Sequence, residues 1–175
     1  MKRFLIVCLI LLLPAAVFAE VQIGGTALYN FPYFEDAGPS EIDLSDFTFG
    51  ADARFRVFIF QASALALFTP GYTDELNNEV AGNIDLIVDG GLSVDVLMFR
   101  LGLGIGPSLR LNLGEGGDPY GIGLNAKATA EVMLGRIALG LTYLNQFEFD
   151  YADASQLLDQ DYTKGLLGVS VLFAL

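Results

Sequence analysis

The residues able to do chemistry in this chain are charged, and within each segment they recur on one parity. Asp52 and Arg54 are two apart; Asp85, Asp89 and Asp95 share one parity of their segment; Arg100 and Arg110 do the same in theirs, as do Lys127 and Glu131. Lys164 joins the set ahead of the last apolar segment. In an extended chain, residues of one parity point to one side, so these groups converge on a single face. Five acids (Asp52, Asp85, Asp89, Asp95, Glu131) stand against five bases (Arg54, Arg100, Arg110, Lys127, Lys164). That balance favours ion pairing in an enclosed space, because an ion removed from water is tolerated only beside an opposite charge.

Catalysis is expected to be absent. The chain has no histidine and one cysteine, Cys8, so Ser–His and Cys–His nucleophile schemes lack a component. Asp85 and Asp89 could work as acid and base, but neutralisation by a nearby Arg or Lys explains them more simply. The run Gly102-Leu103-Gly104-Ile105-Gly106 looks superficially like a phosphate-binding glycine loop, yet it precedes no helix and strictly alternates. No cofactor and no metal centre are expected.

A second charged group is one-sided. Glu35, Asp36, Glu41, Asp43, Asp74, Glu75, Glu79, Glu115, Asp118, Glu148, Asp150, Asp153, Asp159 and Asp161 lie in stretches with no Lys or Arg, and they account for most of the net charge of −12. The plain expectation is a solvated loop surface that resists self-association. The sharper one is contact with an extracellular ligand or divalent cations, although no loop has EF-hand spacing. Nucleic acid is disfavoured by the charge.

The elements that must position these groups are strands. The chain is 53% hydrophobic and 17% charged. Beyond its N-terminal run it nevertheless has no stretch of 18 or more apolar residues, the length a spanning helix needs. Hydrophobicity is instead spread by alternation over eight segments. They run from Val21 to Phe31, from Phe47 to Phe55, from about Phe58 to Phe68, from about Ile84 through Asp95, from Arg100 to Asn112, from Ile122 to Val132, from about Ile137 to Phe147, and from Lys164 to Leu175. The fifth is clearest: Leu101, Leu103, Ile105, Pro107, Leu109 and Leu111 oppose Arg100, Gly102, Gly104, Gly106, Ser108, Arg110 and Asn112. In the third, both parities carry apolar residues and only Gln61 and Ser63 mark the polar side.

Lys2 and Arg3, the apolar run Phe4 to Leu13, Pro14 and the small residues up to Ala19 form a secretory pattern. Residues 1–19 are expected to be a cleaved signal peptide, and residues 20–175 one barrel domain. Short turns near Phe55–Val57, Val96–Met98 and Leu134–Arg136 alternate with longer connections at Pro32–Ser45, Thr69–Asn83, Gly114–Pro119 and Glu148–Asp161. Short turns on one side and long loops on the other is the pattern of an up-and-down barrel in a bacterial outer membrane, with both termini periplasmic. The apolar parity carries no charge in any segment, so it is expected to face lipid. The charged parity would fill the interior as a polar plug, since eight strands leave room only for side chains. Aromatics near both ends (Tyr29, Phe31, Phe47, Phe68, Tyr120, Tyr143, Phe147 and Tyr162; Phe55, Phe58, Phe99 and Phe173) read as two interfacial girdles.

These features, together with the C-terminal run Val169-Ser170-Val171-Leu172-Phe173-Ala174-Leu175, resemble small outer-membrane barrels of the OmpX and OmpA-transmembrane type. Such proteins commonly end on an aromatic residue that the insertion machinery reads; here the last residue is Leu175, with Phe173 two places earlier. The resemblance implies an eight-stranded antiparallel transmembrane β-barrel that meets outer-membrane lipid and the barrel-insertion machinery, as a monomer. Its role would be structural or surface-interacting. A narrow pore for small or hydrophobic solutes is the alternative. A soluble lipocalin-like carrier would reverse the parity, with an apolar cavity and a charged exterior.

Overall fold

The computed structural model describes residues 19–30, 46–73, 79–114, 119–148 and 165–175. The expected signal segment lies outside these residues apart from Ala19. So do Lys164, Phe31, Tyr162 and the acidic residues Glu35, Asp36, Glu41, Asp43, Asp74, Glu75, Glu115, Asp118, Asp150, Asp153, Asp159 and Asp161.

Eight long strands follow from the alternation: β1 (Ala19–Asn30), β2 (Phe47–Val57), β3 (Phe60–Thr69), β6 (Asn83–Val96), β7 (Phe99–Asn112), β8 (Tyr120–Leu134), β9 (Ile137–Glu148) and β10 (Leu166–Ala174). Two further strands, β4 (Tyr72–Thr73) and β5 (Glu79–Val80), form a small antiparallel ribbon within the connection between β3 and β6. The alternation pattern does not disclose that ribbon, because two-residue strands are too short to carry a period. The long strands close into one antiparallel barrel in the order β1-β10-β9-β8-β7-β6-β3-β2. Closure leaves no open edge in the barrel.

The pairing registers fix the shape. Stepping between paired residues from Glu20 leads to Arg56, Gln61, Gly91, Gly104, Lys127, Leu144, Leu166 and back to β1 at Asn30. The circuit returns ten residues further along β1 (20 to 30). Ten residues of about 3.3 Å rise, set against eight spacings of about 4.8 Å, tilt the strands by about 40° from the barrel axis. Residues at one height are therefore not direct pairing partners, and the lumen must be read along the axis rather than along the ladder.

The strand ends differ from expectation by a few residues. β2 continues to Val57, and the turn is Phe58-Ile59 rather than the stretch around Phe55–Val57. The two other short turns are Leu97-Met98 and Gly135-Arg136. All three open with a residue at positive φ: Phe58 (55°), Leu97 (58°) and Gly135 (66°). Glycine adopts this conformation freely, whereas a side chain makes it cost about 1–2 kcal/mol. Turn chemistry therefore explains the third hairpin but not the first two, where bulky apolar residues occupy the glycine position.

In β3, Gln61, Ser63, Leu65 and Leu67 are buried, and Phe60, Ala62, Ala64, Ala66 and Phe68 are exposed. The two polar residues thus mark the inner face, although two leucines share it. Phe147, expected in the outer girdle, is instead buried.

Candidate functional site: the lumen of the barrel

The inward parity of all eight strands converges on the lumen, which is layered along its axis. At the end bearing the short turns, Glu20 on β1, Arg56 on β2, Asp95 on β6 and Arg100 on β7 form a closed ring of ion pairs. Arg56 lies 2.9 Å from Glu20 and 2.8 Å from Asp95, while Arg100 lies 2.9 Å from Glu20 and 2.7 Å from Asp95. Each acid contacts both bases. Gln22 donates to Glu20 at 2.8 Å, fixing the carboxylate further. Neither Glu20 nor Arg56 belongs to the set singled out from sequence. Each shares a parity with a residue that signals the lumen, Gln22 and Arg54 respectively, and that parity was the available clue.

The next layer is the most deeply enclosed. Arg54 donates from Nε and Nη2 to Asp52 Oδ2 at 2.9 and 2.7 Å, and Nη1 reaches Glu131 Oε1. In the barrel order, β2 and β8 stand four strands apart in either direction. Arg54 therefore braces opposite walls across the lumen. Beside it, Lys127 Nζ lies 2.7 Å from Asp89 Oδ2 and contacts Ser63 Oγ, while Ser63 donates to Asp89 at 2.6 Å. All five charged side chains are at most 1% exposed. Asp85 and Asp89, alike in sequence, belong to different networks, because Ile87 projects inward between them.

Glycines make this layer possible in two ways. A Cβ on Gly104 would come within 2.5 Å of Asp89 Oδ1, so its absence gives the carboxylate room. A Cβ on Gly91 would lie 1.8 Å from the Leu103 carbonyl oxygen, so there the reason is close approach of the paired backbone and not side-chain space.

Above the ion pairs the expected polar plug gives way to hydrocarbon. Leu28, Leu65, Leu67, Ile87 and Leu144 form one buried cluster, with Leu166 packed against it. The expected charge-paired filling is thus present, but it shares the lumen with a layer of leucine and isoleucine. The inward parity must exclude charge from the wall, but it need not exclude leucine from the lumen. The register places Leu28 opposite Thr48 and Gly168, Leu65 opposite Ile87, and Leu144 opposite Leu166, so four strands (β1, β3, β6 and β9) supply the layer and a fifth, β10, packs against it.

On the far side of the leucines, toward the long connections, a cavity of about 270 Å³ is lined by Asn30, Thr48, Thr69, Asn83, Asp85, Arg110 and Gln146, among others. Arg110 lies 2.8 Å from Asp85 and donates to Gln146 Oε1 at 3.0 Å; the hydroxyls of Thr48 and Thr69 are 2.8 Å apart. Arg110 is the most open of these cations, with its side chain 38% exposed.

The sequence-derived charged set thus divides into three places. Asp95 and Arg100 join the ring at the short-turn end; Asp52, Arg54, Asp89, Lys127 and Glu131 occupy the centre; Asp85 and Arg110 occupy the cavity at the other mouth. Among the described residues no group of three or more His, Cys, Asp or Glu side chains is arranged to hold a metal ion.

The outer wall is the reverse of the lumen. Leu86, Val88, Leu92, Leu101, Leu103, Ile105, Leu141 and Val169 are exposed, and no charged residue of the long strands lies on that parity. Fold and lumen together define a class: a closed eight-stranded antiparallel β-barrel with buried charge pairs inside and an apolar exterior. No protein-family model, curated protein or solved structure matches the chain.

Proposed function

We propose that the chain is a non-enzymatic integral protein of a bacterial outer membrane, a plugged barrel of the OmpX and OmpA-transmembrane kind whose acidic loops serve surface contacts. The single observation that carries this reading is the sorting of charge by parity. Eleven ionisable side chains, Glu20, Asp52, Arg54, Arg56, Asp85, Asp89, Asp95, Arg100, Arg110, Lys127 and Glu131, share the inner parity of their strands. The outer parity is apolar at its centre apart from Tyr143 and Asn145 of β9, whose side chains bond to each other. A water-soluble barrel has the opposite need, with polar groups outside.

Dimensions support the same reading. From Phe99 to Leu109 the outward residues of β7 span ten steps, which at a tilt of about 40° rise about 25 Å. That is the height of the apolar band on outer-membrane barrels, about 25 Å. Lipid would cover the wall, and the insertion machinery would act on the folding chain. The loops would face outward, where their acids meet ligands or divalent cations, and both termini would be periplasmic. A signal peptide over residues 1–19 accords with that route.

A plug is favoured over the narrow pore by the two kinds of filling in series. A solute would have to pass Arg54, which spans the lumen, and then the leucine layer. The test is refolding into vesicles followed by planar-bilayer recording. The folded barrel should float with lipid, run with heat-modifiable mobility on gels, and give no current. Discrete conductance steps would favour the pore, and a protein that stays in solution without detergent or lipid would overturn the membrane reading.

A further inference from the structure

The short-turn end of the barrel departs from what a water-facing hairpin end requires. Its turns are Phe58-Ile59, Leu97-Met98 and Gly135-Arg136, with Leu134 leading into the last. Phe58 is 57% exposed and Leu97 is 96% exposed; Ile59, Met98 and Leu134 are also exposed. Turns that meet water ordinarily carry Asn, Asp or Gly at positive φ. Here Phe58 and Leu97 hold that conformation against its preference for glycine, so apolar side chains stand where polar or small ones would fit the backbone better.

Two further observations say what these side chains meet. The exposed surface is continuous with the wall: Phe55, Phe60, Val96 and Phe99 carry the apolar belt into the turns without a polar break. The aromatic residues also differ between the ends. Tyr29 and Tyr120 stand toward the long connections, and the other five tyrosines (Tyr33, Tyr72, Tyr143, Tyr151, Tyr162) also fall in or toward those connections in sequence. Among the described residues the aromatic side chains at the short-turn end are phenylalanine alone. A tyrosine hydroxyl seeks the wet interface, whereas phenylalanine has no such anchor. The one charged tip residue, exposed Arg136, has a long stem able to reach from an apolar setting to a phosphate.

We infer that the short-turn end is sunk into the leaflet it faces, with Phe58, Ile59, Leu97, Met98 and Leu134 at the boundary of acyl chains and headgroups and Arg136 on lipid phosphate. This rests on the reading of the wall as lipid-facing. The partner is the lipid surface itself, and the ionic ring of Glu20, Arg56, Asp95 and Arg100 then lies at headgroup level inside an apolar rim.

The test uses the full chain with Cys8→Ser and single cysteines introduced by Phe58→Cys, Leu97→Cys, Leu103→Cys or Leu113→Cys. All four sites are exposed, so the shorter side chain leaves the fold undisturbed, and heat-modifiable mobility verifies this. Each variant is refolded into phosphatidylethanolamine–phosphatidylglycerol vesicles, labelled with an environment-sensitive fluorophore, and quenched by aqueous iodide or by acyl-brominated lipid. Residues 58 and 97 should resemble 103, with strong bromolipid quenching and iodide quenching several-fold weaker than at 113. If iodide reaches 58 and 97 as readily as 113 while 103 stays lipid-quenched, the immersed end is wrong, the tips being left for water or a soluble protein, and the membrane reading stands. If 103 too is open to iodide, both readings fall.

Discussion

The lower and upper halves of the lumen fill the same cross-section with opposite chemistry. Toward the short turns, Arg54, Lys127 and their carboxylates are joined by directed bonds, each of which needs its partner. Toward the long connections, Leu28, Leu65, Leu67, Ile87 and Leu144 pack without direction. The contrast separates specificity from filling. Buried ion pairs contribute little net stability relative to apolar residues of similar volume, yet breaking one is costly because a charge is stranded. Leucines lose only contacts when one is cut back. The ion pairs therefore hold particular strands opposite one another, and the leucines seal the space.

The largest effect is expected from stranding charge. Arg54→Ala takes from Asp52 and Glu131 the cation that bonds to both and should destabilise the folded barrel by about 3–5 kcal/mol. Urea titration in lipid vesicles, with folded fraction read from gel mobility, would measure it, and a loss below about 1 kcal/mol would erase the distinction between the halves. The comparison sharpens with the triple variant Arg54→Met, Asp52→Leu, Glu131→Leu. Converted to the chemistry of the upper half, it should recover most of that loss.

Cutting back the upper half should cost somewhat less. Leu67→Ala or Leu144→Ala is expected to lower stability by about 2–4 kcal/mol in the same titration. Two such changes at contacting sites should be non-additive because they share one cavity. At the cavity mouth, Arg110→Ala should cost less than Arg54→Ala, about 1–2 kcal/mol, because it strands one carboxylate, Asp85, beside a cavity rather than two in the closed centre.

The smallest effect concerns salt. The ring of Glu20, Arg56, Asp95 and Arg100 is partly open at the short-turn end, with Asp95 40% exposed. Raising ionic strength from 0.1 to 1 M shortens the screening length from about 10 to about 3 Å. The penalty of Arg56→Gln should shrink accordingly, while that of Arg54→Ala should stay unchanged. Equal salt sensitivity at both positions would mean that water reaches the centre.

Much of the barrel was legible beforehand because charge obeys parity strictly. Arg100 and Arg110 oriented β7, and Lys127 with Glu131 oriented β8; no other placement avoids ions in the wall. Glu20 and Arg56 were overlooked for a local reason. One lies at the first residue after the expected cleavage point, and the other falls where a turn was expected but β2 continues to Val57. The ribbon of β4 and β5 was invisible because periodicity needs more than two residues to register. The unequal partners of Asp85 and Asp89 were hidden too, since partner choice depends on neighbouring strands.

Sequence alone determined eight alternating segments, the inward face of those that carry charge, and the short and long connections that order them. Tertiary structure decided the ten-residue offset around the barrel, which sets Arg54 against Glu131 on the opposite wall and gathers leucine and isoleucine from four strands into one layer, with Leu166 of a fifth against it. The physical reason is an asymmetry in what each face tolerates. An ion is acceptable only inside, so its side can be read from the chain, whereas leucine suits an apolar wall and a filled lumen equally well. Its place is fixed only when the closed barrel brings its neighbours around it.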